Sequence, residues 1–195
     1  MTGLRADRPR LERSVMERVR ERDPEALGAL FEHYFDLLFG LTYRLLGERT
    51  AAEDMTQEVF YKVHRAAHQI DPSRDPAPWL IAIACNACRD LWRSSAHRLA
   101  RRSASIDDNP GVAARLTRGT HDPERDLLSA ERERLVQEAI GRLPGPLRIA
   151  VVLHDYQGLS HQEIARITGI RHAAARKRYS RALEALGRML KERFG

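Results

Sequence analysis

Apolar residues recur every three or four positions along most of this chain, which is the spacing of amphipathic α-helices. The longest such run extends from Leu27 to Leu45. It follows Asp23-Pro24-Glu25, where an N-cap carboxylate, a proline at the first helical position and an acidic first turn are typical of a helix start. Gly47 comes directly after the run and is typical of a helix end. The pattern therefore predicts a helix from about 24 to 46.

The N-terminal half continues with two more amphipathic segments. Thr50 is predicted to open a helix with Glu53 as its capping-box partner, and the periodicity of this helix fades near His68. Residues 71–76 are rich in Asp and Pro and predict a loop. A third helix is expected at about 77–97, and its early part is almost entirely apolar. A short helical lead-in is also expected before Arg22, behind a polar N-terminus at 1–10 that predicts disorder.

Residues 100–122 interrupt the helical pattern. They are rich in Ser, Asp, Asn, Pro, Gly and Thr, which indicates an interdomain linker. Beyond them, helices are predicted at about 123–142, 146–156, 160–168 and 172–193. Because no useful strand-period segment occurs, the predicted fold class is all-α, with two small helical domains joined by a flexible linker. The predicted boundaries are an N-terminal extension at 1–22, a first domain at 23–99, the linker at 100–122 and a second domain at 123–195.

The last two predicted helices have the spacing of a helix-turn-helix. Ser160 and Glu163 form a capping-box pattern at the start of the first helix. Ala165 is small enough to let the second helix approach closely, and Gly169 permits the sharp turn. Ile170 is expected to pack under that turn. This spacing predicts a DNA-binding unit.

Charge supports the same interpretation. The chain has 33 basic and 27 acidic residues, a formal net charge of +6, and a basic balance favours nucleic-acid partners. Only three of the basic residues are lysines, a bias that a GC-rich genome also explains. The window 166–183 holds six cations and no acid, whereas a solvated helix usually mixes signs. Contact with DNA in a major groove is favoured over a helical hairpin whose basic face contacts protein or RNA.

Three runs of sequence follow one another along the chain. The first is Ala-Glu-Asp-Met-Thr-Gln-Glu-Val-Phe at 52–60, and the second is Trp-Leu-Ile-Ala-Ile-Ala-Cys-Asn at 79–86. The third begins at Leu143-Pro144 and continues through Glu163-Ile164-Ala165 and Gly169-Ile170 to Arg178 and Arg181-Ala182. With these runs in this order and spacing, the chain resembles the extracytoplasmic-function (ECF) sigma factors of bacterial RNA polymerase. The resemblance covers nearly all of 25–190 apart from the linker, and it implies a helical region 2 and a helical region 4.

The resemblance also implies two protein contacts. The acidic and amide side chains Glu53, Asp54, Gln57 and Glu58 are expected to dock on the β′ clamp helices of core RNA polymerase, and region 4 on the β flap. An acidic face suits a basic coiled coil. Without the resemblance, the same four residues would be interpreted as an ordinary solvated face.

Contacts with both promoter elements are implied as well. The helix at 86–102 is expected to contact the −10 element, with candidates Asn86, Arg89, Asp90, Arg93 and Arg98. Arginines suit phosphates, and an amide or a pocket in the 71–78 loop suits a flipped base. Trp92 fits either base stacking or the core.

Region 4 is expected to contact the −35 element through Arg171, His172, Arg176, Lys177 and Arg181. The usual Gly-Thr-Val opening of its second helix is replaced by Ala173-Ala174-Ala175, which leaves the base preference open. Arg178 is expected closer to the domain body.

Other chemistry finds little support in the sequence. Cys85 and Cys88 lie in an apolar helix and are interpreted as buried thiols, with a thiol switch as the alternative. No second pair of Cys or His accompanies them, so no metal site is predicted. No catalytic set and no cofactor-binding motif is found, and the chain is not expected to be an enzyme. No signal peptide or membrane-inserted segment is expected, which predicts a cytoplasmic protein.

The resulting hypothesis is an alternative sigma factor that binds core RNA polymerase, directs promoter-specific initiation and is controlled by an anti-sigma factor. A stand-alone helix-turn-helix regulator is the first alternative, but it leaves the acidic 53–58 face and the basic 86–102 helix unexplained. A cytosolic thiol sensor that uses Cys85 and Cys88 is the second.

Overall fold

The fold was described from a computed structural model, which covers residues 10–102 and 123–194 of the chain, with side chains at 10–94 and 131–191. Within these residues the regular structure is entirely helical, which confirms the predicted fold class. The α-helices are α1 (Arg13–Arg20), α2 (Pro24–Leu46), α3 (Arg49–Ala66), α4 (Ala77–Arg102), α5 (Pro123–Arg142), α6 (Gly145–Val151), α7 (His161–Thr168) and α8 (His172–Phe194). A 3₁₀ turn at Ala67–Gln69 follows α3, and a π-helical turn at Val152–Tyr156 follows α6.

Helix α2 begins and ends where the sequence predicted. The Asp23 carboxylate accepts a hydrogen bond of 2.9 Å from the Ala26 amide, and Pro24 occupies the first helical position. Gly47 closes the helix at φ 79°, a left-handed conformation that glycine adopts without a Cβ penalty. The apolar stripe of α2 is almost completely buried, so this helix forms the centre of the N-terminal half.

The predicted N-cap of α3 was wrong by two residues. Glu48, rather than Thr50, is the N-cap, and its carboxylate accepts hydrogen bonds from the Thr50 and Ala51 amides at 2.8 and 2.7 Å. The Glu48 carboxylate satisfies two of the free amides of the first turn at once, which the Thr50 hydroxyl, two residues later, does not do. Glu53 is therefore released from the predicted capping box and pairs with Arg49 instead.

Helix α4 is longer than predicted. It continues to Arg102 instead of ending near His97, and the sequence has neither Gly nor Pro between 79 and 109 to end it. The remainder of the predicted linker, residues 103–122, lies outside the described residues. The first nine residues of the predicted disordered terminus also lie outside them.

Helices α1–α4 form an N-terminal bundle. The predicted lead-in is helix α1, and its Met16 and Val19 are buried against the same core as α2. Helix α1 thus packs as part of this bundle, although the sequence placed it in an N-terminal extension. Between α2 and α3, the buried hydroxyls of Thr42 and Thr56 share a hydrogen bond of 2.9 Å.

Helices α5–α8 form a C-terminal bundle. The predicted 146–156 helix is instead α6 followed by the π turn, after which the Leu159 amide donates to the Leu153 carbonyl at 3.0 Å. Leu153, Ile164 and Ala182 are buried at the centre of this bundle. No described helix has the length and apolar character needed to cross a membrane.

The two bundles lie against each other. Helices α2 and α4 contact α5, α6 and α7, and buried residues from Met16 to Leu186 join one continuous apolar core. The sequence predicted two domains but not their packing.

Helix α7 has the predicted capping box. The Ser160 hydroxyl accepts from the Glu163 amide at 3.3 Å, and the Glu163 carboxylate accepts from the Ser160 amide at 2.9 Å. These two bonds satisfy amides that the first turn of a helix leaves free. They fix the start of the helix-turn-helix.

Ser160→Ala removes this cap and should lower the free energy of unfolding by about 1 kcal/mol. The measurement is urea unfolding followed by circular dichroism. Ser180→Ala, at an exposed position inside α8, is the matched control and should change stability by less than ~0.5 kcal/mol. Equal losses in both variants would contradict the capping role.

Both cysteines are buried in α4, as expected. Burial raises the pKa of the Cys85 thiol well above its usual range, and it raises the pKa of Cys88 to about 12. Since the thiolate is the reactive form, both thiols are unreactive at neutral pH.

The two thiols of the folded protein should therefore react with a chromogenic aromatic disulfide at pH 7.5 at least ~100-fold more slowly than those of the chain unfolded in guanidinium. The reaction is followed by absorbance, and free cysteine serves as the rate standard. Rapid labelling of one thiol in the folded state would restore the thiol-sensor alternative.

Candidate nucleic-acid and protein interfaces

The helix-turn-helix is built from α7, the turn at Gly169 and α8. Gly169 has φ 68°, and the following Ile170 amide donates to the Ala165 carbonyl at 3.0 Å, which closes the turn. Ala165, Ala175 and Ala182 are buried where the two helices meet the rest of the bundle. Small side chains at these positions let the backbones approach closely, and this sets the direction of α8.

The outer face of α8 carries the cations that the sequence proposed for the −35 element. Arg171, His172, Arg176, Lys177 and Arg181 are all exposed. A shallow depression runs along this face, lined by Ala173, Arg176, Lys177, Ser180, Arg181 and Glu184. None of the four arginine and lysine side chains forms a salt bridge with a carboxylate in the described part of the chain. Their charge is therefore available to a polyanion.

The alanines that depart from the family pattern divide between the two sides of α8. Ala175 is fully buried, Ala174 is half-buried and Ala173 is exposed. Arg178 is half-buried and lines a small cavity towards the body of the protein, together with Arg89 of α4. The exposed cations and Arg178 thus lie on different faces of the helix.

A group of aromatic and histidine rings anchors α8. The Tyr179 hydroxyl donates to the Asp155 carboxylate at 2.8 Å, and the same oxygen lies 2.8 Å from His154 Nδ1. Burial and this hydrogen bond raise the pKa of Tyr179 to about 12. The His161 ring packs 5.1 Å from Tyr179, and burial with the neighbouring histidines lowers its pKa. The Tyr179–Asp155 hydrogen bond joins α8 to the π turn that follows α6. No group of three potential metal ligands was found among the described residues.

The proposed polymerase face lies on α3 and is open to solvent. Asp54 and Gln57 are exposed, and the Glu53 and Glu58 carboxylates are each only part-covered by a cation one turn away. Such exposed pairs contribute little to stability. The four side chains can therefore exchange these partners for a basic protein surface at small cost.

Two exposed aromatic residues beside this face were missed by the sequence analysis. Tyr61, one turn beyond Glu58, is 58% exposed, and Phe31 of α2 is 40% exposed with its ring 4.6 Å from Phe60. The sequence pattern did not separate Phe31 from the core positions, because adjacent residues of the same helix, such as Leu37 and Leu38, are both buried. An aromatic patch bordered by acids is typical of a protein-binding surface.

The candidate −10 residues divide between the two sides of α4. Asn86, Asp90 and Arg93 are exposed, and the Asn86 side-chain oxygen accepts a 2.7 Å hydrogen bond from Arg89. Arg89 itself is half-buried and faces the C-terminal bundle. The side chain of Arg98 lies outside the described residues.

Trp92 contacts the C-terminal bundle. Its ring lies 5.0 Å from the Arg148 guanidinium carbon, so in this arrangement it is an interface residue. The 71–78 loop leads into α4, and the Asp75 carboxylate accepts from the Ala77 amide at 2.9 Å at the start of that helix.

Comparison with known proteins identifies the family. The Sigma-70 region 2 family matches residues 30–108, and the Sigma-70 region 4 family matches residues 133–186. The RNA polymerase sigma-H factor of Pseudomonas aeruginosa is 31% identical over 186 residues, which cover 92% of this chain and 93% of that protein. The ECF RNA polymerase sigma-E factor of Haemophilus influenzae is 30% identical over 177 residues, which cover 90% of this chain and 93% of that protein.

The fold has a counterpart among solved structures. The sigma factor RpoE, in its co-crystal structure with the anti-sigma factor NepR from Bartonella quintana, superposes with a TM-score of 0.66 at 19% identity. The match covers 84% of this chain and 96% of that chain. With region 2 in the N-terminal bundle and region 4 in the C-terminal bundle, the chain belongs to the ECF sigma factors of bacterial RNA polymerase.

Proposed function

We propose that this sigma factor uses three separate surfaces to start transcription. The acidic and aromatic face of α3 binds core polymerase, helix α4 and the 71–78 loop engage the −10 element, and the basic face of α8 engages the −35 element. The observation that carries the proposal is the charge of α8, whose exposed Arg176, Lys177 and Arg181 form no salt bridge within the described residues, whereas the acids of α3 lie together at 53–58. One surface suits a basic protein and the other suits DNA.

The α3 face fits the β′ clamp helices as its partner. Glu53, Asp54, Gln57 and Glu58 supply charge and amide complementarity to a basic coiled coil. Tyr61 adds a large side chain that can anchor the contact, since aromatic residues carry much of the energy of protein interfaces. Region 4 is proposed to rest on the β flap when the complex forms.

The α4 surface fits the melted −10 element. Arg89 and Arg93 suit backbone phosphates, and the Asn86 amide can hydrogen-bond a base displaced from the stack. Asp90 and Arg98 complete the proposed set. The acceptor of Asn86 is held by Arg89, which orients the amide before DNA arrives.

An anti-sigma factor is the proposed regulator. The support is the shared fold with the RpoE chain that was solved with NepR. The chain is proposed to act in the bacterial cytoplasm, where core polymerase and the promoter are found. Polymerase performs the nucleotide chemistry, so no catalytic residue is assigned to this chain.

Run-off transcription with core polymerase tests the function directly. Promoter-specific products should form from some templates in a genomic screen only when both proteins are present. A stand-alone regulator would instead bind its operator tightly without polymerase and give no new transcript. Absence of specific products on every template would contradict the proposal.

Asp54→Lys should weaken the affinity for core polymerase at least tenfold, because it places a cation against a basic partner. The measurement is a fluorescence titration of core polymerase, and the binding of α8 to duplex DNA should remain unchanged. Glu131→Lys, which makes the same charge change at an exposed position of α5, is the matched control. Equal weakening by both variants would indicate a general charge effect instead of a docking surface.

If Arg176 contacts a base, Arg176→Ala should weaken binding to −35 duplex DNA by about 1–3 kcal/mol. If Arg176 contacts a phosphate, the substitution should instead reduce the slope of log K against log[salt] by about 1. Titrations at several salt concentrations separate the two cases. Arg188 is exposed on the same helix, about three turns further on, and Arg188→Ala should change neither the affinity nor the salt slope appreciably. An Arg176→Ala protein with wild-type affinity and slope would remove this residue from the DNA contact set.

A further inference from the structure

Three histidines from three consecutive elements of region 4 meet at one edge of the helix-turn-helix. His161 is the first residue of α7, His172 is the first residue of α8, and His154 lies on the π turn. The ring centres of His154 and His161 are 4.7 Å apart, and those of His161 and His172 are 6.5 Å apart. Arg176, one turn after His172, is exposed on the DNA face proposed above. The histidines therefore border the cations of α8.

The carboxylate of this group is already engaged. Asp155 Oδ1 accepts a hydrogen bond of 2.8 Å from the Tyr179 hydroxyl and lies 2.8 Å from His154 Nδ1. The His161 ring is half-buried, and no hydrogen bond or salt bridge within the described part of the chain involves its nitrogens. His172 is exposed. Both imidazoles are thus open to a ligand from outside the protein.

The surroundings of His161 disfavour its charged form in the free protein. Burial, the two neighbouring histidines and Arg176 all lower the pKa of His161, and Asp155 opposes them in part. The N-terminus of α7 acts in the same direction, because the positive end of a helix dipole repels a cation. His161 is therefore neutral in the free protein at pH 7.5.

A DNA phosphate would reverse this balance. In a helix-turn-helix the second helix enters the major groove and the first helix crosses the DNA backbone. This geometry brings the start of α7 and the start of α8 to the backbone. A charge-assisted N–H···O bond to phosphate is about 2.8 Å long, so the ring separation between His161 and His172 suits one phosphate that accepts from both rings. The phosphate charge compensates the protons that the free protein disfavours.

We propose that His161 and His172 form a proton-linked phosphate contact at the −35 element, in which DNA binding draws a proton from solvent onto this histidine pair. The proposal rests on the −35 function proposed above and assigns His161 to it as a further DNA contact. Histidine suits the role because its charge changes between pH 5 and 8.

The sign of the pH dependence follows from linkage. Because a phosphate favours the charged form, DNA raises the pKa of His161 from its lowered value in the free protein. At high pH the ring is neutral with and without DNA, and it adds nothing to the affinity. As the pH falls, the complex holds a proton that the free protein lacks, so the affinity rises. A tenfold increase in the proton affinity of the pair on binding gives a gain of about tenfold at low pH.

The arginines of the same face behave differently. Arg171 and Arg176 stay charged throughout this pH range, so their attraction for DNA is constant. The histidine pair adds a part that depends on pH. Recognition of the −35 element is then stronger when the pH of the cell interior falls.

Fluorescence anisotropy of a labelled −35 duplex, titrated with the full-length protein from pH 6.0 to 8.0 at constant ionic strength, measures this linkage. The duplex is taken from a promoter that gives a run-off product at pH 8.0. The wild-type affinity should rise several-fold towards pH 6.0. His161→Gln cannot take up a proton and should lose most of this rise, and His161→Gln combined with His172→Gln should abolish it. His68→Gln, at an exposed histidine of the N-terminal bundle, is the matched control and should keep the full rise.

His161→Arg separates charge from structure. A permanent cation at this position should bind the duplex more tightly than the wild-type protein at pH 8.0 and should show a smaller rise towards pH 6.0. A purely structural role of the ring would instead weaken binding in both the Gln and the Arg variants at every pH. Circular dichroism verifies the folding of each variant. In the wild-type protein, the imidazole NMR signals of His161 should titrate at a higher pH with DNA than without it.

Three results would overturn the proposal. The first is equal affinity of the wild-type protein at pH 6.0 and pH 8.0, and the second is a full rise in the double Gln variant. The third is an unchanged titration of His161 on addition of DNA. A promoter-specific run-off product together with any of these results removes the histidine contact alone, whereas absence of a product on every template removes the sigma function and this contact with it.

Discussion

The burial of the α2 apolar stripe is the constraint on which the rest of the molecule depends. Leu30, Leu38, Leu41 and Leu45 are almost fully buried, and α2 contacts α1, α3 and α4 on its flanks and α5 beyond its middle. Complete burial of such a side chain contributes roughly 1.5–3 kcal/mol. Because the stripe is shared, α2 fixes the positions of α3 and α4, which carry the proposed polymerase and −10 faces. Its C-terminal carbonyls accept hydrogen bonds from Gln137 and Arg148 of region 4.

The proposed function depends on the charged side chains that α3 and α8 expose to solvent. The acids at 53–58 of α3 and the cations of α8 remain outside the core, and these are the surfaces proposed for core polymerase and for DNA. The Tyr179–Asp155 hydrogen bond holds α8 at a fixed angle to the body of region 4.

Prediction from the sequence succeeded where a local interaction decides the structure. Asp23 and Ser160 cap their helices because hydrogen bonds within a few residues are enough, and Gly169 turns because it has no Cβ. Prediction from the sequence failed where two local interactions compete for the same structural role. Glu48 prevailed over Thr50 as a cap, and the exposure of Phe31 depended on which of two adjacent apolar residues the core selected. The site residues could be listed from family resemblance, but their division between exposed and interface positions could not.

By itself, the sequence determined the helical class, the helix-turn-helix and the positions of charge, because periodicity, capping and residue chemistry act over a few residues. Tertiary structure alone decided the packing of the two bundles. The pairing of Gly145 with Trp92 and of Arg148 with the Leu45 carbonyl joins residues more than fifty positions apart. No periodic pattern encodes such a contact, since it depends on the shapes and unsatisfied hydrogen-bonding groups of two surfaces that exist only after each bundle has folded.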